Sequence, residues 1–307
     1  MKTLFGAHET FHMREGWLRK GLLGIQKNPH LFSDPYASDV LGVGTNMVVA
    51  IRYWLQAANL IESRLEQRDE KKIAGYHLTK LAELILAQDP YFENDGTLWA
   101  LHYQLATNKA FATTWYWFFN EFGVRQFTQD LFLSHLQRHV ESEVRRAVKF
   151  KTLEKDFRCL IRTYTRHEEK VKGVGYEDSY DCPLVSLNLL QHLPLSRAYR
   201  LVAPSQEELP PLLVCYALTE MRGHAPLLGD QVSLREAQIQ IGSPGRVFAL
   251  DSEALYEYLL RLESEHPDLI SFSRTAGLNL IMFKPVDSLQ VLNQYYQGAR
   301  SLQGVHG

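Results

Sequence analysis

The stretch LGVGTNMVVAIRYWLQAANLI, Leu41 to Ile61, carries the tight turn and second helix of a helix-turn-helix. Gly42 and Gly44 permit a sharp turn, and Thr45 is placed to cap the helix that follows. Val48, Ile51, Leu55 and Ala58 recur at helical spacing and predict a buried stripe. Asn59 stands where a left-handed cap is needed, a conformation its short polar side chain tolerates. Downstream, GYHLTKLAELIL from Gly75 to Leu86 reads as a returning strand at Tyr76-His77-Leu78 and a further helix capped by Thr79. Helix, helix, turn, helix, two-stranded wing, helix is the winged helix-turn-helix plan.

Working outward, Phe5 to Arg14 is an irregular lead-in and Gly16 to Gln26 a first helix, stopped at Asn28-Pro29. Asp34-Pro35 opens the next helix in the favoured order of capping residue, then proline. Beyond the break at Asp89-Pro90 the chain becomes aromatic and helical in TLWALHYQLA and TTWYWFFNEFG. Trp99, Tyr103, Phe111, Trp115, Trp117, Phe118, Phe119 and Phe122 crowd at helical spacing, which points to core or a dimer contact rather than to base stacking. DLFLSHLQRHV and a polar helix over Thr152 to Tyr164 follow, then a linker over Lys170 to Asp181. The remainder repeats the plan, with a short helix over Pro183 to Leu193, a strand over Tyr199 to Val202, and a helix from Pro211 through Met221. A small helix over Val232 to Ile239, a helix capped by Asp251, and a hairpin about Ala276-Gly277 complete it. The expected fold is mainly α with small β-wings, two winged helix-turn-helix-like units joined by a helical middle region. Its divisions are residues 1–95, 96–172 and 173–307.

Composition bounds the function. With 307 residues, 45% hydrophobic and 22% charged, the chain suits two or three domains with cores of their own. No apolar run approaches the roughly 18 residues of a membrane helix. His8, Glu9 and Arg14 interrupt the opening segment, which argues against a secretion signal and for a cytoplasmic protein. Cys159, Cys182 and Cys215 form no CxxC pair, against a zinc ribbon or a disulfide framework. The net charge of -2 is uneven: residues 1–172 hold 24 Lys+Arg against 20 Asp+Glu, and residues 173–307 hold 9 against 15. Arg138 to Lys172 alone carries 11 basic and 6 acidic residues, among them Arg145, Arg146, Lys149, Lys151, Lys155, Arg158, Arg162 and Arg166. Such a run is either a solvated helix face or a surface that tracks phosphates.

One catalytic pattern is present. His8-Glu9-Thr10-Phe11-His12 matches H-E-x-x-H, in which two histidines one helical turn apart bind zinc. Only seven residues precede it, and Glu15 stands where the extended motif needs glycine, so His8 and His12 read better as polar packing than as a metal site. No phosphate-binding loop, dinucleotide fingerprint or nucleophile elbow occurs, and no cofactor is implied. The acidic run Tyr176 to Asp181 and His167-Glu168-Glu169 read as solvated surface.

The segments FGAHETFHMREGWLRKG, LGVGTNMVVAIRYWLQAANLIE, YHLTKLAELILAQDPYFENDGTLWALHYQL, TTWYWFFNEF and EDSYDCPL resemble a prokaryotic domain-of-unknown-function family, number 4007. The resemblance implies a setting in DNA phosphorothioation and phage-defence islands, beside PAPS-reductase-like genes. It transfers no catalytic residue. The leading reading is a non-catalytic DNA-binding or adaptor subunit of a DNA-modification or phage-defence system. Duplex DNA and PAPS-reductase-like or other modification subunits are its partners, and it is a possible homodimer. A protein-interaction scaffold that never touches DNA is the competing reading, and a metal-dependent hydrolase a distant third. DNA contacts are expected from Thr45, Asn46, Arg52, Tyr53 and Gln56 on the Thr45 helix and from Arg145, Arg146 and Lys149. On the scaffold reading Tyr53 is the exposed anchor.

Overall fold

The glycine turn and buried stripe read at Leu41 to Ile61 are present in the computed structural model, which describes residues 3–68, 71–144, 147–166, 181–224, 230–274 and 279–303. The N-terminal elements are α1 (Trp17–Lys27), α2 (Ala37–Leu41), α3 (Thr45–Ala57), β1 (Ile61–Arg68), β2 (Lys71–Leu78) and α4 (Lys80–Gln88). Gly42 ends α2 with φ of 63°, a left-handed conformation that glycine adopts without a Cβ clash. The α3 cap is Gly44 rather than Thr45, which is the first helical residue, and no side chain caps the helix. Val48, Ile51, Leu55 and Ala58 are all buried. Asn59 takes the left-handed cap with φ of 54°, and its carbonyl accepts from the Thr79 hydroxyl at 2.8 Å. Thr79 in turn caps α4 by accepting from Ala82 N. β1 and β2 pair antiparallel from Ile61 opposite Leu78 to Arg68 opposite Lys71.

Next come α5 (Asp95–Thr107), α6 (Thr113–Trp117), a π-helical turn over Phe118–Phe122, β3 (Gln126–Thr128), α7 (Gln129–Glu143) and α8 (Phe150–Tyr164). They are followed by β4 (Leu190–Leu193), β5 (Ala198–Leu201), α9 (Pro211–His224), β6 (Gln231–Ser233), α10 (Leu234–Ile239) and α11 (Pro244–Val247). The chain closes with α12 (Ser252–Glu265), β7 (Ile270–Ser273), β8 (Leu280–Phe283) and α13 (Ser288–Gln303). Two expected helices differ. Pro183 to Leu193 is a 3₁₀ turn over Pro183–Leu187 followed by β4, because Asn188 turns left-handed with φ of 52° and Leu190–Leu193 pairs with β5. The first residues of the expected Val232 to Ile239 helix form β6, where Val232 pairs with Ile281, and Ser233 then caps α10 with a full capping box. The turn expected about Ala276-Gly277 and the Lys170 to Tyr180 part of the linker lie outside the described residues, as do His167-Glu168-Glu169.

Beyond the two-stranded β1–β2 sheet, the described strands form two three-stranded sheets of identical plan. β3, α7, α8, β4 and β5 follow in sequence, and the strands lie in the order β3-β5-β4. β6, α10, α12, β7 and β8 repeat that run, with α11 inserted, in the order β6-β8-β7. In both, the first strand pairs with the third, so a pair of helices is folded against one face of a small antiparallel sheet. The first of these sheets joins residues 126–128 to residues 190–201.

One hydrophobic cluster runs through the chain. The aromatic residues over 99–122 are buried in it, with Phe111 half-buried, and Trp117, Phe118, Phe122, Phe127 and Phe132 pack their rings 4.9–5.9 Å apart. Each such side chain contributes about 1.5–3 kcal/mol by leaving water, and their burial leaves no face for stacking bases. α13 returns to the start of α5, where the Tyr296 hydroxyl meets Thr97 Oγ1 at 2.6 Å and the Tyr295 hydroxyl donates to Asn94 Oδ1 at 2.8 Å.

Candidate nucleic-acid interface

The α3 helix is more deeply packed than its sequence suggests. Thr45 and Asn46 are exposed at its start, Val49, Arg52 and Gln56 are half-buried, and Tyr53 is 5% exposed. The expectation that Tyr53 stands on an open face is therefore corrected. The segment before α1 lies across α3: Trp54 Nε1 donates to the Phe11 carbonyl at 3.1 Å, and the Tyr53 and His8 rings meet edge-on at 5.8 Å. A helix of 13 residues shows both neighbours' faces in one sequence, and only tertiary contacts decide how many are covered. Gln56 lines a separate cleft with Asn59, Gln104 and Asn108, so it does not share a surface with Thr45.

The HETFH residues are not helical. They form a turn in which Glu9 and Thr10 have φ of 51° and 69°, so His8 and His12 do not stand one turn apart as a zinc-peptidase helix requires. His8 Nε2 donates to Asp156 Oδ1 at 2.9 Å, and Nδ1 accepts from Thr10 N at 3.1 Å. Burial opposes a charge on this ring, but the Cys159 sulfur and the Asp156 carboxylate outweigh it and push its pKa up to about 10. The Thr10 contact is the one that a second ring proton would break. Asp156 also accepts from Gly6 N at 2.8 Å and from the Thr114 hydroxyl at 2.7 Å. Both His8 and Asp156 are 1% exposed, so the cluster pins the N-terminal segment to α8. Among the described residues, no group of three or more His, Cys, Asp or Glu side chains is placed to hold a metal ion.

α8 divides cleanly into two faces. Leu153, Asp156, Phe157, Leu160, Ile161 and Tyr164 are buried, and Phe157 packs against Tyr199 of β5 with ring centroids 5.9 Å apart. Lys151, Lys155, Arg158 and Arg162 are exposed at i, i+4, i+7 and i+11, with Lys149 at the cap and Arg166 just beyond the end. Among the described residues none of these six is ion-paired. The four on the helix span about 16 Å of axis, over which a duplex carries about ten charges. On α8 Asp156 goes inside and the cations outside, while Glu154 is half-buried and Glu141 and Glu143 of α7 are exposed. Arg145 and Arg146 lie outside the described residues.

The β4–β5 hairpin adds residues that sequence reading passed over. Its connection is a 3₁₀ turn, Pro194–Ser196, with Leu195 fully exposed and Arg197 left-handed with φ of 49°. Arg197 and Arg200 are exposed, and Arg200 donates to Gln191 Oε1 at 2.6 Å. Leu190-Gln191-His192-Leu193 carries no alternation, since its apolar residues lie three apart, and that spacing suited the helical reading of Pro183 to Leu193.

Two clefts adjoin at the start of α1. One of about 490 Å³ is lined by Arg14, Arg19, Tyr91, Glu93, Arg166 and Cys182 among others, and one of about 360 Å³ by Lys20, Gly42, Val43 and Met47 among others. Both are lined by Arg14, Glu15 and Gly16. Burial pushes the Cys182 thiol well above its ordinary range, which leaves it a neutral wall rather than a nucleophile.

Two solved structures are similar over nearly the whole chain, one described as an SspB crystal structure and the other as a magnesium ion-bound SspB crystal structure. Each is 28% identical, covers 97% of this chain and 89% of its own, and superposes with a TM-score of 0.85. None of the curated proteins compared matches the chain. No helix among the described residues is long and apolar enough to cross a membrane. The profile of the family described as "Protein of unknown function (DUF4007)" matches residues 5–296, and the chain belongs to that family.

Proposed function

We propose that this protein is a non-catalytic DNA-binding or adaptor subunit of a phosphorothioation-type DNA-modification or phage-defence system, and that it meets duplex DNA through α8. The observation that carries the reading is the basic stripe Lys151, Lys155, Arg158 and Arg162 on the exposed face of that helix, with no ion pair among the described residues. We read the surrounding run, a strand, two helices and two strands in the order β3-β5-β4, as a winged helix, a fold in which the second helix enters the major groove. On this reading β4–β5 is the wing, with Arg197 and Arg200 at the phosphates beside the groove. The β6-β8-β7 run is a second unit of the same plan, and the α1-to-α4 region a third with only a hairpin. Thr45 and Asn46, at the exposed start of α3, supply a further backbone contact, with Arg52 beside them. Family membership and similarity to SspB support the modification setting. PAPS-reductase-like proteins are the partner subunits this reading proposes.

Charge reversal on α8 tests the reading. Lys155→Glu, Arg158→Glu and Arg162→Glu together should abolish retention of duplex DNA at low salt while leaving the melting temperature unchanged. Retention at the wild-type level would remove α8 from the interface.

A further inference from the structure

The β1–β2 hairpin has one edge covered and one edge open. In an antiparallel ladder the N–H and C=O of a residue point to the same side, and successive residues alternate. Thr79 N donates to the Leu60 carbonyl at 3.0 Å, so Leu60, Glu62, Arg64 and Glu66 turn their backbone toward β2, and Ile61, Ser63, Leu65 and Gln67 turn theirs away. The same rule points Ala74 and Tyr76 of β2 outward, and both are taken: Tyr76 N donates to the Pro29 carbonyl at 2.8 Å, and the Ala74 carbonyl accepts from His30 Nδ1 at 3.2 Å. On β1 the outward backbone groups of Ser63, Leu65 and Gln67 make no hydrogen bond among the described residues. An open edge of this length, with neither a proline nor a bulge, is a template for another strand. At its root Glu62 and Ser63 line a cleft of about 500 Å³, which leaves room beside the edge for an incoming backbone.

What the edge presents is complementary to itself. Leu65 is 76% exposed, and Glu62, Ser63, Arg64 and Gln67 are exposed around it. When two copies pair antiparallel about a two-fold axis at Leu65, Leu65 meets Leu65 and Ser63 meets Gln67, in the hydrogen-bonded positions that their outward backbone requires. Arg64 falls opposite Glu66 twice, at the closer non-hydrogen-bonded positions where opposite charges stabilise. A slip of two residues is the smallest that keeps the outward groups paired. In one direction it sets Arg64 against Arg64 and Glu62 against Glu66, and in the other Glu66 against Glu66, so both slipped registers bring like charges face to face. Registers centred on Ser63 or Gln67 shorten the overlap, because β1 runs from Ile61 to Arg68. Contacts within the chain do not exhaust these side chains. Arg64 Nη2 donates to the exposed Glu62 and leaves most of the guanidinium donors available. Glu66 accepts from His77 Nε2 at 2.6 Å and lies 3.2 Å from His30 Nε2, which uses one site on each carboxylate oxygen.

We propose that the open edge of β1 pairs with the same edge of a second copy of this chain, joining two hairpins into a four-stranded sheet of order β2-β1-β1-β2. The proposal goes beyond the DNA-binding reading and does not rest on it. Sedimentation velocity of the full chain should show a monomer–dimer equilibrium across the micromolar range, in keeping with an interface of one strand pair. Leu65→Pro removes a donor that points away from β2, so the hairpin keeps its ladder. Dimerisation should weaken at least about tenfold there, with the melting temperature of the dilute monomer unchanged. Arg64→Glu and Glu66→Arg should each weaken self-association at least about tenfold, since each sets like charges across the axis twice. Mixed in equal amounts, the two variants should associate again, because the acidic strand of one then faces the basic strand of the other. A wild-type chain that stays monomeric at every concentration overturns the proposal, even where the edge takes an extended segment of another protein instead. Undiminished dimers of Leu65→Pro overturn the interface, and a mixture no more associated than its components overturns the register. Should the loss of its histidine contacts leave Glu66→Arg unfolded, Arg64→Glu and Leu65→Pro decide alone, undiminished dimers of either overturning the proposal. The Lys155→Glu, Arg158→Glu, Arg162→Glu chain should dimerise as the wild type does, and loss of the dimer there would move the interface to α8 and overturn the β1 pairing.

Discussion

His102 in α5 and Tyr164 at the end of α8 share a buried hydrogen bond, with Nδ1 accepting from the hydroxyl at 2.8 Å. The other ring nitrogen donates to the Val247 carbonyl at 2.9 Å, so one imidazole ties α5 to both α8 and α11. Burial lowers the His102 pKa from 6.5 to about 4, against the smaller pull of the Val247 carbonyl. A folded pKa below the unfolded one means that the unfolded chain binds the proton more tightly. The stability due to the neutral ring is complete above pH 6.5 and is lost as pH falls toward 4, by about 3 kcal/mol in all. Denaturant unfolding at pH 7 and pH 4 should show a loss of that order, and His102→Gln should flatten this part of the profile. A wild-type profile level between those values would mean that the ring is protonated in place.

Asp156 is the buried partner of three donors from two other segments. Asp156→Ala should destabilise by about 3–5 kcal/mol, since Gly6 N, His8 and Thr114 all lose their acceptor. Asp156→Asn, which keeps one carbonyl oxygen, should cost less. Unfolding free energies of the two variants within 1 kcal/mol of wild type would show that water replaces the carboxylate.

Tyr53 and Arg52 are neighbours with opposite expected behaviour. Tyr53→Ala removes a side chain packed on His8 and Trp54 and should cost about 3–5 kcal/mol, whatever partner the protein has. Arg52→Ala, on a half-buried position, should stay within about 0.5 kcal/mol of wild type. A Tyr53→Ala chain that melts normally but loses a partner would return this residue to the surface.

For the α8 stripe the salt dependence is the sharper measurement. If Lys151, Lys155, Arg158 and Arg162 each neutralise one phosphate, the logarithm of the association constant should fall with the logarithm of salt with a slope of about -3.6 from these four alone. Each single change to alanine should reduce the slope by about 1 at every DNA sequence. A slope that does not change in any of the four variants would place the contact elsewhere.

How much of this was legible before folding depends on whether the deciding interaction is local. Gly42, Asn59, Thr79 and Asp251 act on backbone within a few residues, so the turns and caps they set could be read directly. The aromatic run over 99–122 was legible as core or a dimer contact from its crowding at helical spacing, and folding buries it within the chain. Thr45 misled because a hydroxyl is an acceptable cap and the glycine before it needs no side chain to start a helix.

The rest depended on residues far apart in the chain. Nothing near Tyr53 announces that residues 4–14 will lie across it, and nothing near Leu190 announces a partner strand at Ala198 joined in turn to Gln126. Strand pairing and the coverage of a helix face are settled by segments tens to hundreds of positions away, through contacts with no local signature. The sequence by itself determined most of the helical stretches, though not at Pro183 to Leu193 or Val232 to Ser233; it also determined where several would be capped and that the basic residues gather over 138–172. Only the tertiary structure decided that Asp156 turns inward while Lys151, Lys155, Arg158 and Arg162 turn outward, because burying a carboxylate requires the donors of Gly6, His8 and Thr114 to be brought to it.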